Sequence, residues 1–207
     1  MPPEELIVKD NILTIPNVLS VLRIILSPIF VYLFLSVNIN YKVISLIIFF
    51  FAVLTDWYDG WYARKYKSIS KLGIFLDPLA DKVLTTFAFL LFFAIGMMPL
   101  WMVLIIALRD IIITFLRSYD EYKGLIIKTS NISKIKTFIQ MVYIFFVLAL
   151  LLYSFEISDS VLKLKIDEFL FRSVFNYILM LLVTLLTLYT GISYFIEKKY
   201  YVKNEIY

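Results

Sequence analysis

Five stretches of this chain contain no charged side chain at all: residues 24–41, 43–55, 83–108, 137–155 and 173–196. A bilayer core of about 30 Å needs about 20 consecutive apolar residues of helix, so runs of this kind allow few folds other than a bundle of membrane-crossing helices. Composition agrees, with 62% hydrophobic and 17% charged residues over 207 positions. The run at 83–108 is broken by Gly96-Met97-Met98-Pro99, a turn sequence that divides it into two helices. The run at 43–55 gives only about 20 Å of helix, so that helix must continue into the charged residues that follow it. The expectation is an all-α integral membrane protein with six transmembrane helices at about 17–37, 42–64, 78–96, 99–117, 133–154 and 173–196. Residues 1–16 read as a cytoplasmic arm or interfacial helix, 17–196 as the six-helix membrane domain and 197–207 as a cytoplasmic tail.

Lysine and arginine fix the expected orientation. With the loops after spans 2 and 4 and both termini inside, fourteen basic residues fall on the cytoplasmic side and four on the other. The basic residues are spread over several loops instead of forming a nucleic-acid patch, so no nucleic-acid partner is expected. The outer segment at 156–172 mixes charges with apolar residues and reads as lying on the membrane surface. There is no cysteine and no histidine, which removes disulfides, thiolate nucleophiles, imidazole bases and Cys/His zinc sites.

Against this apolar background, Asp56, Asp59, Asp77 and Asp81 need an explanation. A charge at the bilayer centre costs about 2.5–3.5 kcal/mol on the mildest scale, and four acids together call for a divalent cation with oxygen ligands. Counted at 1.5 Å per residue from the outer ends of spans 2 and 3, Asp56 is level with Asp81 and Asp59 with Asp77, each about 21–29 Å in. On span 2, Asp56, Asp59, Gly60 and Ala63 share a helix face where acids alternate with small residues, so a bulky ligand can approach the backbone. Any one acid has a simpler reading: Asp77 as an N-cap before Pro78, or Asp56 or Asp59 paired with Arg64. Capping does not account for Asp81, and one arginine does not neutralise three further carboxylates.

The order Asp56, Asp59, Gly60, Ala63, Arg64, Gly73, Asp77, Asp81, at these spacings, resembles the signature of the CDP-alcohol phosphatidyltransferases at every fixed position. The resemblance implies a six-helix membrane enzyme, a homodimer, that uses Mg²⁺ or Mn²⁺, two ions, to displace CMP from CDP-diacylglycerol. It implies that Asp56, Asp59, Asp77 and Asp81 ligate metal and that Asp59, Gly60, Ala63, Arg64 and Gly73 surround the CDP group. Asp81 is implied as the catalytic base.

On the acceptor side, Arg109 lies about 15 Å in from Pro99, near mid-membrane, and needs an anionic partner; Asp110 is the nearest in sequence. Arg117 follows at eight residues, 80° around the helix, so both arginines can line one cavity, while Lys134 and Lys136 begin span 5 at the same interface. Together these four predict a site for a second phosphate, on an acceptor that is itself a phosphate ester. Arg109-Asp110-Ile111-Ile112-Ile113 with Arg117, then Lys134-Ile135-Lys136-Thr137 and Gln140, resembles family members whose acceptor is glycerol 3-phosphate. The departures are Asp110 in place of glutamate, Ser118 in place of tryptophan and Ser133 in place of glycine. Serine, inositol phosphate or phosphatidylglycerol are the alternative acceptors, and a cation channel or transporter is the alternative outside enzymology. The expected setting is a bacterial cell membrane, crossed several times, with the site facing the cytoplasm.

Overall fold

The structure, a computed structural model, describes residues 14–66, 72–122 and 131–204, with side chains over 14–56, 58, 72–120 and 132–196. These residues form seven helices: α1 Ile15–Phe34, α2 Ile39–Tyr66, α3 Gly73–Ala94, α4 Leu100–Tyr122, α5 Asn131–Glu156, α6 Ser160–Phe171 and α7 Val174–Asn204. No strand occurs among the described residues.

The helix boundaries follow from local chemistry. Thr14 caps α1 by accepting from the Asn17 amide at 3.4 Å, and Pro16 occupies its first turn, where a missing N–H costs nothing. The turn between α1 and α2 is closed by Lys42, whose Nζ donates to the Phe34 carbonyl oxygen at 3.0 Å and lies 4.3 Å from the Phe155 ring centre. α2 is continuous through Asp56, as the short apolar run before it requires. The break in the run at 83–108 is a turn at Gly96, which adopts φ +77° between α3 and α4, a conformation that favours glycine. α3 starts at Gly73, so Asp77 and Pro78 sit inside it and Asp77 is not its N-cap. The segment at 156–172 forms α6, which is capped by Asp159 and tied to α5 by the 2.6 Å bond from Ser154 Oγ to Asp167.

Four helical stretches are long and apolar enough to cross a membrane: Ile15–Phe34, Ile39–Asp56, Ile132–Glu156 and Ser160–Ile196, the last joining α6 to α7. The chain is therefore a multi-pass membrane protein. α3 and α4 have comparable length but more charge. Any 18-residue window of α3 holds Asp77, Asp81 and Lys82, and any of α4 holds Arg109, Asp110 and Arg117.

α1 packs along both α2 and α3, α3 along α4, and α4 along α7, which in turn meets α5. Phe30, Phe49, Leu84, Phe92, Ile144 and Val147 fill the interior, with Phe30 and Phe49 rings 5.0 Å apart and Phe49 and Phe145 rings 5.4 Å apart. The outward faces of α1, α2, α5 and α7 expose Ile25, Phe51, Phe138 and Ile192, the composition of a lipid-facing surface. Inside this apolar shell, polar side chains of α1 meet those of α2 and α3, and polar side chains of α4 meet those of α5 and α7.

Candidate active site

Two polar layers meet inside the bundle. The first is organised by α1, which carries no acid of its own. Arg23, with no exposed surface, donates from Nη1 to Asp56 Oδ1 at 2.6 Å, and Ser20 Oγ donates to Asp77 Oδ1 at 2.5 Å. Ser20 and Arg23 are three residues apart, about 4.5 Å along the axis, so α1 holds Asp77 and Asp56 on successive turns of its buried face. Asp81, one turn beyond Asp77 on α3, meets Lys82 Nζ at 2.8 Å and is within electrostatic reach of Asp56. Among the described side chains the partner of Asp56 is thus an α1 arginine, and a pairing with Arg64 falls outside the described residues.

Asp59, Gly60, Ala63 and Arg64 lie on the described backbone of α2, but their side chains fall outside the described residues. Gly73 is buried as the first residue of α3. Among the described residues no three acids converge on one point, since Asp56, Asp77 and Asp81 are turned to Arg23, Ser20 and Lys82. The donor set nonetheless fits a hard divalent cation. It offers only carboxylate oxygens at adjacent levels of neighbouring helices, and Asp56 and Asp81 repel each other across the α2–α3 boundary.

The second layer is a cavity of about 510 Å³ between α3, α4 and α5. Its wall carries Lys82, Arg109, Arg117 and Lys134, and Asp81 is the one acid among the described lining residues. Four cations against one carboxylate select an anion, and a volume of this size accommodates a small phosphate ester. Ser118 and Ser133 also line it. Both are departures from the family pattern, with side chains smaller or more polar than a tryptophan and a glycine would present.

Arg109, Arg117 and Lys134 all line this cavity, and Lys136 does not. Its Nζ lies 2.6 and 2.7 Å from the two Asp110 oxygens, and both side chains are about 2% exposed. Asp110 also accepts from Arg109 Nη1 at 2.8 Å. One carboxylate therefore pairs with two cations and leaves the group with a net positive charge. Lys134 and Lys136 are two positions apart, 200° on a helix, and the opposite placement of the two is already implied by that angle.

Lys82 was not among the expected site residues. It lies beside Asp81 at the cavity wall, within electrostatic reach of Asp110, and so joins the acid layer to the cationic one. Its position next to the last acid of the motif was the available signal.

The residue pattern and the geometry define a class, and the family comparison agrees. The sequence profile of the CDP-alcohol phosphatidyltransferase family matches residues 13–189, and the chain belongs to that family. Among its relatives is the CDP-diacylglycerol--glycerol-3-phosphate 3-phosphatidyltransferase of Wigglesworthia glossinidia brevipalpis, 39% identical over 138 residues, which are 64% of this chain and 75% of that protein. The protein of the same name from Yersinia enterocolitica is 34% identical over 171 residues, covering 80% of this chain and 93% of the relative. That from Rickettsia typhi is 28% identical over 187 residues, 90% and 98% of the two chains.

Proposed function

We propose that this chain transfers the phosphatidyl group of CDP-diacylglycerol to a free hydroxyl of glycerol 3-phosphate, giving phosphatidylglycerol phosphate and CMP. The observation that carries the reading is the shared cavity, in which Asp81 of the family motif faces Arg109, Arg117 and Lys134. Relatives bearing the corresponding enzyme name support the choice of acceptor.

In this reading the acceptor oxygen bonds to the lipid-side phosphorus as the bond from that phosphorus to the CMP oxygen breaks. Asp81 accepts the hydroxyl proton, and with histidine absent a carboxylate is the available base. Arg109, Arg117 and Lys134 hold the acceptor phosphate, which brings its hydroxyl to the acid layer and turns a bimolecular encounter into a positioned one. Asp59, Gly60, Ala63, Arg64 and Gly73 bind the CDP group. Asp56, Asp59, Asp77 and Asp81 would hold Mg²⁺ or Mn²⁺, two ions, which when bound neutralise the diphosphate and its leaving group.

α3 and α4 complete a six-span bundle in this reading, because their charges face the site and not the lipid, where intramembrane charges are tolerated. The distribution of lysine and arginine supports a cytoplasmic opening, so that lipid enters from the bilayer and the polar acceptor from the cytosol. A homodimer is the assembly that fits the family, to be tested by cross-linking in membranes. Purified protein given CDP-diacylglycerol, Mg²⁺ and a panel of acceptors should release CMP with glycerol 3-phosphate and far less with serine, inositol phosphate or phosphatidylglycerol. Preference for one of the others would move the acceptor assignment and leave the transfer chemistry in place.

A further inference from the structure

The acceptor arginines are held from behind by α7, at positions beyond the segment matched by the family profile. Arg109 Nη2 donates to Thr190 Oγ1 at 2.8 Å, and Thr190 has no exposed surface. The Thr190 hydroxyl sends its own proton back to its helix, to the Leu186 and Thr187 carbonyl oxygens at 2.9 and 3.0 Å. Its lone pair is therefore fixed towards Arg109 as an acceptor. The next residue, Gly191, is buried under the same side chain. A Cβ there would stand 3.0 Å from Arg109 Cγ and 3.2 Å from its Nε, so the glycine leaves room for the arginine stem to lie on the α7 backbone. One turn on, the Tyr194 ring lies 5.6 Å from Arg117 Cζ, and its hydroxyl is anchored on buried Asp120 at 2.7 Å.

Thr190, Gly191 and Tyr194 thus occupy one face of α7, and each touches an arginine of the cavity or fixes the group that does. Neither arginine meets the acceptor phosphate with a free choice of rotamer: Arg109 is fixed by Asp110 on one side and Thr190 on the other, and Arg117 stacks on an anchored ring. Such fixing lowers the ordering that binding must otherwise supply. We propose that the Thr190–Gly191–Tyr194 face of α7 is a positioning element that sets acceptor affinity, acting through Arg109 and Arg117 without touching the substrate. This rests on the acceptor reading given above.

The test is steady-state CMP release by the purified full chain, with the acceptor and CDP-diacylglycerol varied separately. Thr190→Val keeps the shape and removes the acceptor oxygen, and a lost hydrogen bond to a charged group corresponds to about a tenfold change. The expected result is an acceptor KM raised about tenfold, with kcat and the CDP-diacylglycerol KM within twofold of wild type. Thr190→Ser restores the acceptor KM. Gly191→Ala, which adds one methyl against Arg109, raises the acceptor KM in the same selective way, and Tyr194→Leu does so through Arg117. A normal CDP-diacylglycerol KM reports that each variant is folded. Thr190→Val with an unmoved acceptor KM, or with both KM values raised alike and serine giving no rescue, overturns the inference while leaving the acceptor reading intact. A wild-type protein that releases no CMP with glycerol 3-phosphate overturns both.

Discussion

Arg23 reaches Asp56 at 2.6 Å from a position with no exposed surface, linking the first helix to the first acid of the motif across 33 residues of sequence. Together with the bond from Ser20 to Asp77, it makes α1 the strut on which acids from α2 and α3 are set at adjacent depths. A buried guanidinium of this kind loses part of its compensation when a paired carboxylate is removed, while Asp77 also lies within its electrostatic reach.

Asp56→Ala should therefore lower stability by about 2 kcal/mol, the scale of a charge-assisted hydrogen bond, and abolish turnover. The double variant Arg23→Met/Asp56→Ala should regain part of the stability and none of the activity. Denaturant unfolding in detergent beside CMP release separates the two effects. Equal stability of the single and double variants would contradict the strut.

Asp81→Asn should reduce kcat by about 10² to 10⁴, the usual contribution of a positioned base, with both KM values little changed. A near-normal kcat would remove Asp81 from the role of proton acceptor.

The two lysines of α5 should separate cleanly. Lys134 is exposed and lines the cavity, so Lys134→Ala should raise the acceptor KM about tenfold without changing the unfolding midpoint. Lys136 is buried against Asp110, so Lys136→Met should cost about 2 kcal/mol of stability, with Asp110 still held by Arg109. Reversal of this pattern would place the wrong lysine at the substrate.

Gly96→Ala provides a control remote from the chemistry. The site is open, with nothing within 4 Å of an added Cβ, but φ is +77°, so the cost should be about 1 kcal/mol of stability with kcat unchanged. A loss of activity without a loss of stability would implicate the Gly96 turn in turnover.

Sequence carried the parts of this structure that depend on local pattern. The uncharged runs marked the long helices, and the Gly96 turn was visible because few other sequences end one apolar helix and begin the next. The eight-residue spacing of Arg109 and Arg117 placed both on one cavity wall, since helical geometry alone decides it. Contacts between distant helices were not legible. Nothing local to Arg23, Thr190 or Tyr194 says which helix lies opposite, and nothing local to Lys136 says that its long side chain meets Asp110 of α4, a helix α5 does not pack along. α6 was also obscured, because its charges interrupt the apolar pattern while its Asp159 cap is a signal of only one residue.

In the proposed reaction Asp56 and Asp77, held by α1, act with Asp81 on a divalent ion during phosphatidyl transfer. The most direct test is CMP release from CDP-diacylglycerol and glycerol 3-phosphate by purified protein, first in excess chelator and then with Mg²⁺ or Mn²⁺ restored. The account predicts no release in chelator, full recovery with the metal, and no recovery for Asp56→Ala or Asp81→Asn; release that proceeds equally well in chelator would contradict it.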